Sequence, residues 1–192
     1  MSQIGIFFGT DSGTTRLIAK RIAKRIKARA GEGVAAKPVN VNRAQGDDLL
    51  AYKALILGTP TYGEGELPGK ANGTDEAAWD EFLPKLAGRN FTGTRVALYG
   101  LGDQETYAKN FCDALMALHR FFDDAGAELV GGIDIDGFGF KRSAAVVDGR
   151  FVGLALDQHL QHLLTDARIE SWLDEVLPLL LEVCDIPAAV TD

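Results

Sequence analysis

No apolar run in the 192 residues approaches the roughly 18 that cross a bilayer, and no basic segment followed by an apolar stretch opens the chain. Neither a membrane span nor a secretory leader is expected, which points to the cytoplasm. Cysteine is scarce: Cys112 and Cys184 lie far apart, in neither a C-x-x-C nor a zinc spacing, so a disulfide framework and a thiol redox motif are excluded. Of the three histidines, His159 and His162 have the spacing of a metal pair but no third ligand nearby, and they read as solvated loop residues. His119 reads as a core-edge residue on a helix. Basic residues are also few outside one segment: residues 14–33 hold seven Lys/Arg against Glu32, whereas residues 34–192 hold 13 basic and 25 acidic residues, a balance of −12. A nucleic-acid surface needs a basic domain with interleaved aromatics, which is missing. The basic helix reads as a solvated outer face beside its Ile18/Ile22/Ile26 stripe.

What is present is a core-forming composition, 46% hydrophobic with 22 glycines, in a chain of single-domain length. Short apolar runs suited to strands recur at Ile4–Phe8, Val34–Val41, Ala54–Gly58, Arg95–Gly100, Glu128–Asp134 and Val152–Asp157. Helical patterns fall between them, at roughly 15–30, 45–51, 75–86, 109–125 and 165–183, with Pro187 ending the last. Strands alternating with helices predict a parallel sheet covered on both faces, with ligands held beyond the C-terminal strand ends.

The first strand runs into Gly9-Thr10-Asp11-Ser12-Gly13-Thr14-Thr15 and then directly into a helix. Unpaired N–H groups and the dipole at such a helix start favour an anion, and four hydroxyl residues add donors. The loop has no lysine, which excludes a Walker-type triphosphate site, and glycines at 9 and 13 alone do not make a G-x-G-x-x-G fingerprint. A nucleotide monophosphate fits these donors better. An ordinary hydroxyl-capped βα turn would use the same residue types.

Two further loops reach the same sheet edge. One reads Thr59-Pro60-Thr61-Tyr62-Gly63-Glu64-Gly65-Glu66-Leu67-Pro68, the other Gly100-Leu101-Gly102-Asp103-Gln104-Glu105-Thr106-Tyr107. Each carries one tyrosine among glycines and carboxylates, so that Tyr62 and Tyr107 are placed to clamp a flat ring or, alternatively, to pack their own loops. No general base, nucleophile or metal cluster accompanies them, which argues against a bond-making enzyme.

At these residues the chain resembles a flavodoxin over essentially its whole length. Thr10-Asp11-Ser12-Gly13-Thr14-Thr15 is similar to the family's T-x-[ST]-G-x-T loop for the FMN 5′-phosphate. Pro60, Thr61, Tyr62 and Gly63, with Gly100, Leu101, Gly102, Asp103, Tyr107, Asn110, Phe111 and Cys112, are similar to the two loops that enclose the isoalloxazine ring. The stretch from Gly132 to Arg150 separates two halves of one final strand, as the insertion of long-chain flavodoxins does. The 63–69 segment, with the extended loop before Trp79, is more specifically like the flavodoxins associated with nitrogen fixation. Tyr62 stands where many long-chain members have Trp, Ser12 replaces the commoner Thr, and Cys112 replaces a polar residue of some relatives.

The resemblance implies one flavodoxin-like α/β domain over 1–192, a five-stranded parallel sheet of order 2-1-3-4-5 with helices on both faces, and an insertion at about 132–151 splitting the last strand. It implies FMN as cofactor and one-electron transport at low potential by a monomer. The implied redox partners are nitrogenase reductase and either flavodoxin reductase or pyruvate:flavodoxin oxidoreductase. Glu64, Glu66, Asp75, Glu76, Asp80, Glu81, Asp103 and Glu105 form an acidic rim suited to weak complexes with basic partners. An FMN-dependent NAD(P)H:quinone oxidoreductase of the same fold is the competing reading. A receiver domain needs an acidic cluster after strand 1 and an Asp ending strand 3, where Gly9-Thr10 and Thr59-Pro60 stand instead.

Overall fold

The computed structural model describes residues 3–10 and 13–186. Ile4–Phe8 (β1), Val39–Asn40 (β2), Ala54–Pro60 (β3), Arg95–Gly102 (β4) and Glu128–Val130 (β5) form a parallel sheet in the order β2-β1-β3-β4-β5. Side chains alternate between faces along each strand, and here both faces are dry. Ile4, Ile6 and Phe8 join Ile56 and Tyr99 on one side, while Phe7, Leu55, Leu57, Val96 and Leu98 fill the other. The first face is covered by α1 (Thr14–Ala30) and, at the other end of the chain, Thr165–Val183.

The fifth sheet position is filled in two pieces. β5 pairs with Arg95–Ala97 at the bottom of β4, and the chain then leaves the sheet at Gly131. Gly131 has φ +85°, and a Cβ there would lie 2.4 Å from Val176 Cγ1, so the exit requires glycine. The departing segment forms Ile133–Asp134 (β6), Val146–Val147 (β7) and Arg150–Phe151 (β8), a small antiparallel sheet in the order β6-β8-β7. Leu154–Asp157 (β9) then returns to pair with Tyr99–Gly102 at the top of β4. The split final strand and the 2-1-3-4-5 order match the expectation.

Several boundaries differ from those the pattern suggested. The expected strand 34–41 keeps only β2 and a bridge from Ala35 to Ile4, because Pro38 supplies no N–H to the ladder. After the short α2 (Gly46–Leu50), the expected helix 75–86 shrinks to α3 (Trp79–Phe82) and a 3₁₀ turn at Leu83–Leu86. Pro84 lacks the donor that would continue α3, and the Glu81 carboxylate turns back to accept from Ala78 N (2.8 Å) and Lys70 N (2.7 Å). The helix expected from 109 begins five residues later as α4 (Ala114–Asp124), after Cys112 adopts a left-handed φ of 56°. α5 (Thr165–Val183) holds its expected span with Pro178 on its exposed side; Pro187 lies outside the described residues.

The basic helix α1 is not simply a solvated face. Arg21 and Arg25 reach Asp166 at 3.5 and 2.9 Å, and Arg29 reaches Asp174 at 2.8 Å, so α1 and α5 run parallel in a fixed register. Such partly exposed pairs contribute about 0–1 kcal/mol each, so their main effect is alignment. Their partners are remote in sequence, which is why the helix's own pattern did not reveal them.

Candidate cofactor site

Three loops leave the C-terminal edges of β1, β3 and β4 and meet. In the first, Gly13 (φ +86°) leads into α1, Gly13 N donates to Thr10 Oγ1 at 3.3 Å, and no acidic side chain occupies the first helical turn. Asn40 on β2 holds the turn from the side by donating to Thr10 O (3.3 Å). Asp11 and Ser12 lie outside the described residues. Thr14 is half-buried, whereas Thr15 is fully buried and its Oγ1 has no hydrogen-bond partner among the described residues. The Thr15 carbonyl accepts from the buried Tyr99 hydroxyl at 3.0 Å, which fixes the helix start on the sheet. Beside the cradle, on the β2 side, a cleft of about 800 Å³ is walled by four cations, Arg16, Lys20, Lys37 and Arg43, against two carboxylates, Asp75 and Glu76. The balance of this lining is positive in a chain whose formal charge is −7.

The second loop is a tight turn. Glu66 N and Gly65 N donate to Tyr62 O (2.8 and 3.0 Å), and Tyr62 N donates to Glu66 O (3.0 Å). Gly63 at the corner has φ +51°, and a Cβ there would stand 2.2 Å from Glu66 Oε2. The turn is anchored by Thr61 N donating to Leu101 O (3.0 Å), just past Pro60 at the end of β3. Tyr62 is half-buried.

The third loop is tied to the second through Asn110, whose side-chain amide donates to Glu64 O at 2.7 Å. Gly100, Leu101 and Gly102 belong to β4, with the two glycines closely packed against Leu115 and Phe111. Asp103 folds the loop tip, accepting from Thr106 N (2.8 Å) and Glu105 N (3.0 Å). Burial disfavours its charge, but those N–H groups outweigh burial and hold its pKa below the ordinary carboxylate value. Tyr107 stands 55% exposed at the same tip. Phe111 and Cys112, by contrast, direct their side chains into the core. Phe111 packs on Phe138, Phe140 and Phe151 of the insertion, and burial pushes the Cys112 thiol pKa far up.

Asp157, beneath this loop, was not singled out in the sequence, and Gln104 was quoted there only as part of the loop. Asp157, closing β9, accepts from Gln104 Nε2 (2.8 Å) and Gln104 N (3.2 Å) with one oxygen, and from His159 N (2.7 Å) and Leu160 N (2.9 Å) with the other. The only signal was a carboxylate ending the otherwise apolar run Val152-Gly153-Leu154-Ala155-Leu156 at the ligand-binding edge. Gln104 Oε1 also accepts from Gly139 N, which joins the insertion to the loop. Among the described residues no cluster of three metal-ligating side chains occurs, and His159 is engaged instead with Asp103 at 3.5 Å.

A helix start without acidic side chains, next to two tyrosine-bearing loops at a sheet edge, is the arrangement in which proteins of the open α/β class hold nucleotides. A family model described as "Flavodoxin" matches residues 6–172. A flavodoxin of Klebsiella pneumoniae is 46% identical over 176 residues, covering 92% of this chain and 97% of the relative. A flavodoxin of Enterobacter agglomerans is 44% identical over 182 residues, covering 94% of this chain and all of the relative. Among solved structures, the FMN-bound flavodoxin of Fusobacterium nucleatum superposes with a TM-score of 0.81 at 32% identity, over 93% of this chain and 98% of its own. The chain belongs to the flavodoxin family, which consists of electron-transfer flavoproteins and not of substrate-converting enzymes.

Proposed function

We propose that the chain binds FMN in this site and carries single electrons at low potential between redox proteins. The observation that carries the reading is the Thr15 hydroxyl, buried without a partner among the described residues at the N-terminus of α1. A buried unsatisfied hydroxyl costs about 1–3 kcal/mol, and a phosphate oxygen at the helix start supplies the missing acceptor. FMN, when bound, supplies the one-electron redox chemistry. The chain's residues hold and tune it: Thr10, Asp11, Ser12, Gly13, Thr14 and Thr15 cradle the phosphate, while Tyr62 and Tyr107 cover the ring faces. Carboxylates on the two ring loops oppose the negative charge gained on reduction and so lower the potential.

The finer reading follows the sequence resemblance. The chain acts as a single-domain monomer in the cytoplasm, takes electrons from a flavodoxin reductase or a pyruvate:flavodoxin oxidoreductase, and delivers them to nitrogenase reductase. Support comes from the 63–69 segment and from the exposed carboxylates Glu64, Glu66 and Glu105. The test is titration of the apoprotein with FMN and riboflavin, followed by reduction with NADPH alone or with a reductase. FMN uptake far tighter than riboflavin uptake, with no reduction by NADPH alone, supports a carrier. Direct reduction by NADPH would favour a quinone oxidoreductase. Restoration of substrate reduction by nitrogenase reductase and its partner enzyme would support the finer reading, and its failure would remove that partner.

A further inference from the structure

Large apolar side chains that stay exposed on a folded surface are informative when they cluster. Four of those exposed among the described residues fall on two segments: Leu17 (53%) in the first turn of α1, and Leu160 (55%), Leu163 (84%) and Leu164 (47%) between β9 and α5. The α1–α5 register places them together. Arg21 meets Asp166, so Leu17, one turn earlier in α1, comes level with residues 162–163, one turn before Asp166. The leucines present on the order of 400 Å² of apolar surface, a large share of the roughly 600 Å² per partner in a weak redox encounter.

This corner is continuous with the cofactor site. Asp157 binds Gln104 of the ring loop with one oxygen and the backbone of Leu160 with the other, so patch and loop share a single buried anchor. A groove of about 590 Å³ lies at this junction, lined by Gln104 and Glu105 of the ring loop together with Leu160 and Phe138. The exposed edge of Tyr107 lies on the same loop.

We infer that the leucine corner is a docking face for a redox partner protein that presents an apolar centre bordered by lysine or arginine on the side of the ring loop. The inference rests on the FMN-carrier reading above. Charge complementarity sets the occupant: Glu64, Glu66 and Glu105 are exposed on the ring-loop side of this edge and Arg16, Lys20 and Arg21 on the α1 side, so the partner that fits presents cations toward the ring loop and carboxylates toward α1. The leucines supply the desolvated centre and the carboxylates steer approach.

The test compares FMN-loaded parent with Leu160→Ser, the double variant Leu163→Ser/Leu164→Ser, Glu105→Gln, and Leu50→Ser as a control on α2. KM is measured for reduction by flavodoxin reductase with NADPH and for delivery to nitrogenase reductase, at low salt and at 0.5 M NaCl. The leucine variants are expected to raise KM at least fivefold with one partner or both, at both salt concentrations, with FMN affinity and potentials unchanged. Glu105→Gln should raise KM at low salt only, and Leu50→Ser should not. A rise with a single partner identifies the partner that uses the face. Parental KM with both partners overturns the inference. So does sedimentation of the parent as a dimer that the double variant converts to monomer, which would assign the corner to a second copy. Failure of the FMN reading would appear earlier and differently, as no FMN uptake by the parent.

Discussion

Replacing Thr15 by Val should move two measured quantities in opposite directions. Valine keeps the volume and β-branching and removes only Oγ1; the Tyr99 bond is to the Thr15 carbonyl and survives. In the apoprotein, loss of a hydroxyl that is buried with no partner among the described residues removes a desolvation penalty of about 1–3 kcal/mol. At about 2–4 °C per kcal/mol for a chain of this size, apoprotein Tm should rise by several degrees. FMN binding should weaken, because the variant forfeits a hydrogen bond to a charged group worth about 1.5–3 kcal/mol. That is roughly 10- to 150-fold in Kd. Riboflavin, which has no phosphate, should bind parent and variant alike. Calorimetric melting of the apoprotein and fluorescence titration with both flavins give all three values. A variant that melts lower and binds FMN as the parent does would show that the hydroxyl serves the fold, and the cradle argument would fail.

Gly63→Ala should cost about 1 kcal/mol for left-handed backbone plus a steric share from the Glu66 carboxylate, weakening FMN binding and shifting the spacing between the two one-electron potentials. Adding Glu66→Ala should return only the steric share; full recovery would mean that the backbone conformation is not held. Gln104→Leu strips the side-chain amide donor from the buried Asp157 carboxylate, leaves the backbone N–H of residue 104 in place, and deprives Gly139 N of its acceptor; it should lower stability by about 1.5–3 kcal/mol, read as a reduced urea midpoint. Asp103 has a folded pKa below its unfolded one, so the stability it confers is present above about pH 3.9 and lost as pH falls through the folded value. Urea midpoints from pH 2.5 to 7 should therefore show a smaller acid-side loss in Asp103→Asn than in the parent, and identical profiles would show that its turn bonds do not favour the charged form.

The sheet was legible because its strands are dry on both faces and so read as short apolar runs, and the interruption between Val130 and Leu154 was legible through its resemblance to the insertion of long-chain flavodoxins. The helix expected over 75–86 was not, since carboxylates and apolar residues at helical spacing do not reveal that Glu81 folds back as a cap or that Pro84 stops the ladder. The cradle was read from residue types that could equally close an ordinary turn, and only the burial of Thr15 separates the two uses. Asp157 was passed over because a carboxylate at a strand end looks like surface; its burial depends on Gln104, some fifty residues away in the chain. The arginines of α1 misled for the same reason, their partners lying on α5.

The split fifth strand also concentrates the support of the site on one short strand. β9 pairs with four residues of β4, against seven for β3, and its pairing closes residues 131–153 into a loop at an entropic cost of about 3 kcal/mol. β9 is the strand that ends in Asp157, and Asp157 sets the ring loop. Local opening of β9 is therefore expected to loosen that site while β1, β3 and the lower half of β4 stay paired.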